Sequence, residues 1–264
     1  MIKITSVKNP LIKEIKSLYR KKERKKAGLF IVEGIKIIEE MIDRDYSFKN
    51  IIYTDSLLDS KEGKTVFSSL ENEGRLINVS ESVFKEISDT ENPQGILGLA
   101  YINTHNIEEL DIDRNRFLLY LDGVQDPGNM GTIIRTADAF NIDGIILRDG
   151  CVDPYNPKVV RATMGSIFRV PIYFESSGIE EIENLKSLGM KIYSTSLEDS
   201  LDINKVNFKA NSIVVIGNES KGVSREIYDL SDSLIKIPMP GDSESLNAGV
   251  AASIIMYEAM KQNY

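Results

Sequence analysis

From residue 117 onward, short apolar runs alternate with stretches of helical periodicity, and few folds accommodate that rhythm. The runs fall at residues 117–121, 145–147, 172–174, 192–194, 213–216 and 234–237, with helix-like segments between most of them. Short apolar strands alternating with helices belong to a parallel sheet whose two faces are both covered. The alternation therefore predicts an α/β fold with a parallel sheet. Residues 246–260 are mostly good helix formers and read as the closing helix.

The amino-terminal part follows a looser version of the same pattern. Leu11, Ile12, Ile15 and Leu18 recur at helical spacing with lysines between them, and Ile35, Ile38, Met41 and Ile42 mark one face of a second helix. Residues 29–32, 51–53, 76–79 and 96–102 are strand candidates. These elements predict a small α/β unit over residues 1–103. Residues 104–115, rich in Asp, Glu and Asn, read as a linker, and residues 116–264 as the second domain.

Composition excludes several kinds of chemistry. The single cysteine, Cys151, rules out an internal disulfide framework and a multi-cysteine metal site, and reads as a small buried side chain. The single histidine, His105, leaves no His/Cys cluster for zinc or for a His-based nucleophile, so no metal is expected. No apolar run is long enough to span a bilayer. Lys3, Lys8, Lys13 and Lys16 interrupt the first residues, which lack the apolar core of a signal peptide. A soluble cytoplasmic protein is expected.

The net charge of −8 argues against a nucleic-acid partner until its distribution is considered. Residues 1–28 hold ten Lys or Arg against Glu14 and Glu23, a balance of +8, which leaves −16 for the remainder. Phosphate binding needs a local positive patch rather than a positive total. The same run is also what a solvated helix face looks like.

Three loops after strands have unusual composition: residues 122–131 (DGVQDPGNMG), 217–222 (GNESKG) and 238–247 (PMPGDSESLN). Glycines let backbone amides approach a ligand, and prolines stiffen a loop. In a parallel sheet, ligands bind beyond the carboxyl ends of the strands, where these loops lie. No G-x-G-x-x-G follows a strand and no G-x-x-x-x-G-K-[ST] occurs, which counts against a dinucleotide or ATP site.

At these loops the sequence resembles the SpoU (TrmH) family of the SPOUT methyltransferases. Asn129, Gly131 and Arg135 match an Asn-x-Gly-x-x-x-Arg core. Residues 214–219 match an apolar strand ending in a Gly-x-Glu turn, and Ile237-Pro238-Met239 with Ser245-Leu246-Asn247 match the third motif. Order and spacing agree over residues 117–260, and the first hundred residues are similar, more diffusely, to the RNA-binding domain of ribosomal-RNA members. One departure stands out: where many members continue Val-Ser-Val-Ala after the asparagine, this chain reads Ala248-Gly249-Val250-Ala251.

The resemblance implies a SPOUT-type parallel sheet with a deep trefoil knot, a homodimer, and methyl transfer from S-adenosylmethionine to a ribose 2′-hydroxyl of RNA, ribosomal in preference to transfer RNA. It also implies main-chain contacts to the donor from Gly217, Ile237 and Leu246, with Thr195, Asn218 and Met239 bordering it. A side chain at Gly217 is expected to fill the donor's space. Arg135 is the expected catalytic residue. It sits one helical turn after Gly131, and because arginine almost never loses its proton, stabilising an alkoxide or gripping a phosphate suits it better than acting as a base. Asn129 and Glu219 are expected to shape the pocket through loop amides, with a plain turn cap as the bland alternative. Ser245 is placed to cap the last helix and Asn247 to bond across the cleft. Arg161 and Arg169 are candidates for RNA contact or for pairing with surface acids. Two other readings compete. A non-catalytic RNA-binding protein on the same fold sits poorly with intact Asn129, Arg135, Glu219 and Asn247, and a nucleotide-dependent oxidoreductase lacks its glycine fingerprint.

Overall fold

The computed structural model describes residues 3–71, 74–110, 115–175, 178–197 and 200–263. The chain divides into two compact units, neither of them a single stretch: Met1–Asn103 with Asp153–Phe168, and Thr104–Val152 with Arg169–Tyr264.

The first unit is built on a four-stranded sheet. β1 (Leu29–Glu33) and β2 (Phe48–Tyr53) each pair antiparallel with β4 (Ile96–Tyr101), and β3 (Leu76–Asn78) runs parallel to β2. Helices α1 (Pro10–Ser17) and α5 (Glu81–Ile87) cover one face. Ile12, Ile15 and Leu18 from the first helical stretch join Leu29, Ile31, Phe84 and Leu97 in one core. Full burial of such a side chain contributes roughly 1.5–3 kcal/mol. Successive strand residues face opposite sides, so Phe30 points the other way. There it meets Tyr155 at 4.8 Å between ring centres and, further off, Phe168, and β1 is buried along its whole length. The remaining helices of this unit are α2 (Lys21–Ala27), α3 (Ile35–Asp43), α4 (Lys61–Leu70) and α7 (Pro157–Thr163), the last packed on β1.

The second unit carries the parallel sheet. Its strands are β5 (Phe117–Asp122), β6 (Gly144–Leu147), β7 (Ile172–Phe174), β8 (Lys191–Thr195), β9 (Leu201–Asp202), β10 (Ser212–Gly217) and β11 (Ser233–Lys236), in the order β7-β6-β5-β10-β8-β11-β9. Every pairing in it is parallel. The two-residue β9 has no apolar run of its own and extends the sheet beyond the strands read from the sequence. Helices α8 (Ile179–Ser187) and α9 (Arg225–Leu230) supply Ile182, Leu185 and Ile227 to one core. Helices α6 (Pro127–Ala139) and α10 (Ala248–Asn263) pack against each other. α6 begins where Oδ1 of Asp126 accepts the Asn129 amide at 2.8 Å and Pro127 occupies the first turn. β10 lies between β5 and β8, so the strand order jumps there, the position at which open parallel sheets hold ligands.

Candidate active site

Beyond the carboxyl ends of β8, β10 and β11 lies a cleft of about 750 Å³. Thr195, Gly217, Asn218, Glu219, Ile237, Met239, Ser245, Leu246 and Asn247 all line it. Asn129 and Arg135 do not, and neither does any other residue of the 122–131 loop. That loop stands behind the wall instead. The carbonyl of Gly123 accepts from Nδ2 of Asn218 at 2.7 Å, and Nδ2 of Asn129 donates to Oε1 of Glu219 at 2.9 Å. The amides of Gln125 and Asp126 donate to the two oxygens of the same carboxylate.

The 217–222 loop is a closed turn. Asn218 and Gly222 exchange both backbone hydrogen bonds, at 3.0 and 2.9 Å, and Oδ1 of Asn218 accepts the amides of Ser220 and Lys221. A Cβ on Gly217 would lie 2.2 Å from the carbonyl carbon of Gly222 and 2.3 Å from the Val223 nitrogen. The glycine is therefore required by the loop's own closure. Burial opposes ionisation of Glu219, but the bonds from Asn129 and from backbone amides outweigh it and hold the carboxyl below the ordinary glutamate range.

The 238–247 loop has looser bracing. Oγ of Ser243 donates to the Ser245 carbonyl, and Ser245 is exposed. The cap of α10 comes from Asn247, whose Oδ1 accepts the Val250 amide at 3.2 Å, and not from Ser245. The departure at Gly249 has a steric setting. A Cβ there would stand 3.2 Å from Oδ1 of Asn247, 3.3 Å from Cβ of Thr132 and 3.4 Å from Cα of Asn129. Glycine thus lets α10 approach α6 closely where many family members carry serine.

Arg135 is exposed on α6 and makes no hydrogen bond or ion pair with a described residue. The other described arginines of this unit are engaged: Arg116 with Asp143, Arg148 with Asp122, Arg169 with Asp138 and Arg225 with Asp229. In the first unit Arg161 pairs with Asp89. Pairing with acids, the plainer of the two readings for Arg161 and Arg169, is what their side chains do here. Cys151 is buried with its thiol donating to the Leu121 carbonyl, and burial pushes that thiol up. Ile216, Val223, Tyr228 and Ala251 also line the cleft. No loop composition marks Tyr228 or Ala251, which reach the cleft from helices.

Comparison with known proteins identifies the family. Residues 116–257 match the model of the SpoU rRNA Methylase family, and residues 9–98 that of the MRM3-like substrate binding domain. The chain is 34% identical over 257 residues to the Bacillus subtilis (strain 168) 23S rRNA (guanosine(2553)-2′-O)-methyltransferase RlmP, covering 97% of this chain and 98% of that protein. An AdoMet-bound rRNA methyltransferase from Sinorhizobium meliloti superimposes with a TM-score of 0.87 at 31% identity, over 98% of this chain and 97% of that one. The SpoU methyltransferase AviRb from Streptomyces viridochromogenes, in complex with AdoMet, does so with a TM-score of 0.82 at 26% identity, over 96% and 98%. This chain belongs to the SpoU rRNA methylase family.

Proposed function

We propose that the protein transfers a methyl group from S-adenosylmethionine to a ribose 2′-hydroxyl of ribosomal RNA. One observation carries the reading. The Asn129–Glu219 bond ties the first turn of α6, the helix bearing an unpaired Arg135, to the loop that lines the cleft. The cleft suits the donor: its volume falls within the roughly 300–1,000 Å³ of small-molecule sites. Its wall combines apolar Ile216, Ile237, Met239 and Leu246 with loop backbone from Gly217 to Val223. Gly217, Ile237 and Leu246 would present main-chain groups to the donor, with Thr195, Asn218 and Met239 at its border.

When bound, S-adenosylmethionine supplies a methyl group activated by its sulfonium. The chain's task is to hold the acceptor hydroxyl in line and to help it lose its proton. A free guanidinium offers five donors and no acceptor, so Arg135 stabilises the developing alkoxide or grips the adjacent phosphate. Glu219, kept ionised, and Asn129 fix the start of α6. Asn247 fixes the start of α10, and Ser245 is left exposed at the mouth of the cleft.

RNA is gripped by α2 of the first unit, whose Lys21, Lys22, Lys25 and Lys26 are exposed. The trefoil knot and the homodimer of the family are part of the same proposal. The placement of β10 between β5 and β8 supports the first, and Val250 and Tyr257, about half exposed and seven residues apart on α10, support the second. Among the described residues no helix is long and apolar enough to cross a membrane, and a cytoplasmic location belongs to the same proposal.

Calorimetric titration tests the donor assignment: micromolar binding of S-adenosylmethionine, roughly −8 kcal/mol, is expected, with none for NAD. RNA but not DNA of the same sequence should be methylated, because only RNA carries the 2′-hydroxyl. The product should resist alkaline cleavage at the modified nucleotide. A methyl group on a base, or no donor binding, overturns the proposal.

A further inference from the structure

A second group of polar side chains, none of which lines the cleft, converges at the carboxyl ends of β5, β6 and β7. Asp122 ends β5, Arg148 follows β6 and Glu175 follows β7. Nη1 of Arg148 donates to Oδ1 of Asp122 at 3.1 Å and to Oγ of Ser224 at 2.5 Å, and its Nη2 donates to Oε2 of Glu226 at 2.6 Å. Its Nε lies 3.7 Å from Oε2 of Glu175, whose other oxygen accepts from the Tyr120 hydroxyl at 2.7 Å. Oδ2 of Asp122 accepts the Ser224 amide at 2.6 Å. The Asp122 and Glu175 side chains are 8% and 5% exposed, so these charges act in a setting of weak solvent screening.

Ser224 is the pivot. It follows Val223, which lines the cleft, and it precedes α9. A serine at that position ordinarily turns its hydroxyl onto a helix amide. Here it makes no such bond, and the hydroxyl accepts from Arg148 instead. The 217–223 wall is therefore held at both ends, by the covalent junction with β10 at Gly217 and by the Arg148–Asp122 clasp at Ser224. The fork of a guanidinium is needed to reach Asp122, Ser224 and Glu226 together, which an ammonium cannot do in that geometry.

We infer that Arg148 is a positioning residue for the cleft, setting through Asp122 and Ser224 where the 217–223 wall stands. The consequence for the methyl donor rests on the reading of the cleft given above. Two folded variants test it, Arg148→Lys and Ser224→Ala, chosen because Arg148→Gln would strand two buried acids and risk unfolding. Hydrogen exchange at the amides of residues 218–224 reads the wall directly and should quicken in both. The KM for S-adenosylmethionine should rise about tenfold, the size of losing one charge-assisted bond. The kcat at saturating donor and the affinity for RNA should stay at wild-type values, because Arg135 and α2 are untouched. A role in general stability would move RNA affinity along with donor KM. Unchanged loop exchange, or unchanged donor KM in both variants, overturns the inference. If the wild-type protein itself fails to bind S-adenosylmethionine, the donor assignment falls, while loop exchange in the variants still decides whether Arg148 holds the wall.

Discussion

Both units bury arginine–carboxylate bonds, and α2 of the first and α6 of the second each carry cations without a described partner, but these differ in kind and in number. In the first unit, Arg24 of α2 donates twice to Oδ2 of Asp153 and once to the Leu18 carbonyl, with only 3% of its side chain exposed. Around it on the same short helix, Lys21, Lys22, Lys25 and Lys26 are exposed and form no bond with a described residue. In the second unit the described arginines are paired except Arg135, which stands on a thirteen-residue helix capped by Asp126. A cluster of flexible ammonium groups suits phosphates wherever they run along a backbone. A lone guanidinium on a braced helix suits one geometry. On the proposed function, the difference separates charges that hold the fold, charges for gripping RNA and a charge for chemistry.

Breaking a fold-holding pair should have the largest effect. Arg24→Ala strands Asp153, which is 11% exposed, and should cost about 3–5 kcal/mol of stability, read as a shift of the urea midpoint. A loss below about 1 kcal/mol would place this arginine with its exposed neighbours. Arg135→Ala should behave in the opposite way. Single-turnover methyl transfer should fall at least about 10²-fold while urea stability and donor affinity stay put, and full activity in this variant would remove Arg135 from the chemistry. Neutralising Lys21, Lys22, Lys25 and Lys26 to Gln should weaken RNA binding and flatten its salt dependence by roughly 0.7–0.9 for each phosphate left without a lysine. An unaltered slope would mean that α2 does not touch phosphate. Neutralisation is the correct experiment here because residues 1–28 cannot be cut away: Ile12, Ile15 and Leu18 are fully buried.

The smallest effect belongs to Glu219. Its carboxyl is held below the ordinary glutamate range, so its contribution to stability is complete above that range and is lost as pH falls through the lowered value. The difference in unfolding midpoint between wild type and Glu219→Gln should therefore shrink with acidification. A gap that stays constant from about pH 7 down to about pH 3 would show that the carboxylate is not held by Asn129 and the loop amides.

Much of this was legible because burial leaves a pattern in sequence. The six apolar runs from residue 117 onward all form strands, and the pattern is sharpest in β5, β6 and β10, which are buried along their whole length. The site loops announce themselves through glycine, proline and asparagine, which serve turns like the one Asn218 and Gly222 close. The clasp at Arg148 left no such mark. Asp122, Arg148 and Ser224 are far apart in the chain, and the pairing of β5 with both β6 and β10 brings them together. The choice of Asn247 over Ser245 as helix cap depends on where the backbone turns, which both residue types could satisfy. The return of residues 153–168 to the first unit is equally silent, because its partners are Arg24 and Phe30, more than a hundred residues earlier.

That return has a consequence for synthesis. The ribosome releases Asn103 long before Phe168, and at roughly 5–20 residues per second the interval lasts several seconds. Throughout it, the side of β1 bearing Phe30 lacks its cover of Tyr155 and Phe168, and the carboxylate awaited by Arg24 has not been made. The nascent first unit must wait with an apolar face open while β5, α6 and β6 of the second unit emerge. Its completion is then a signal that translation has passed β6, the second strand of the other unit's sheet.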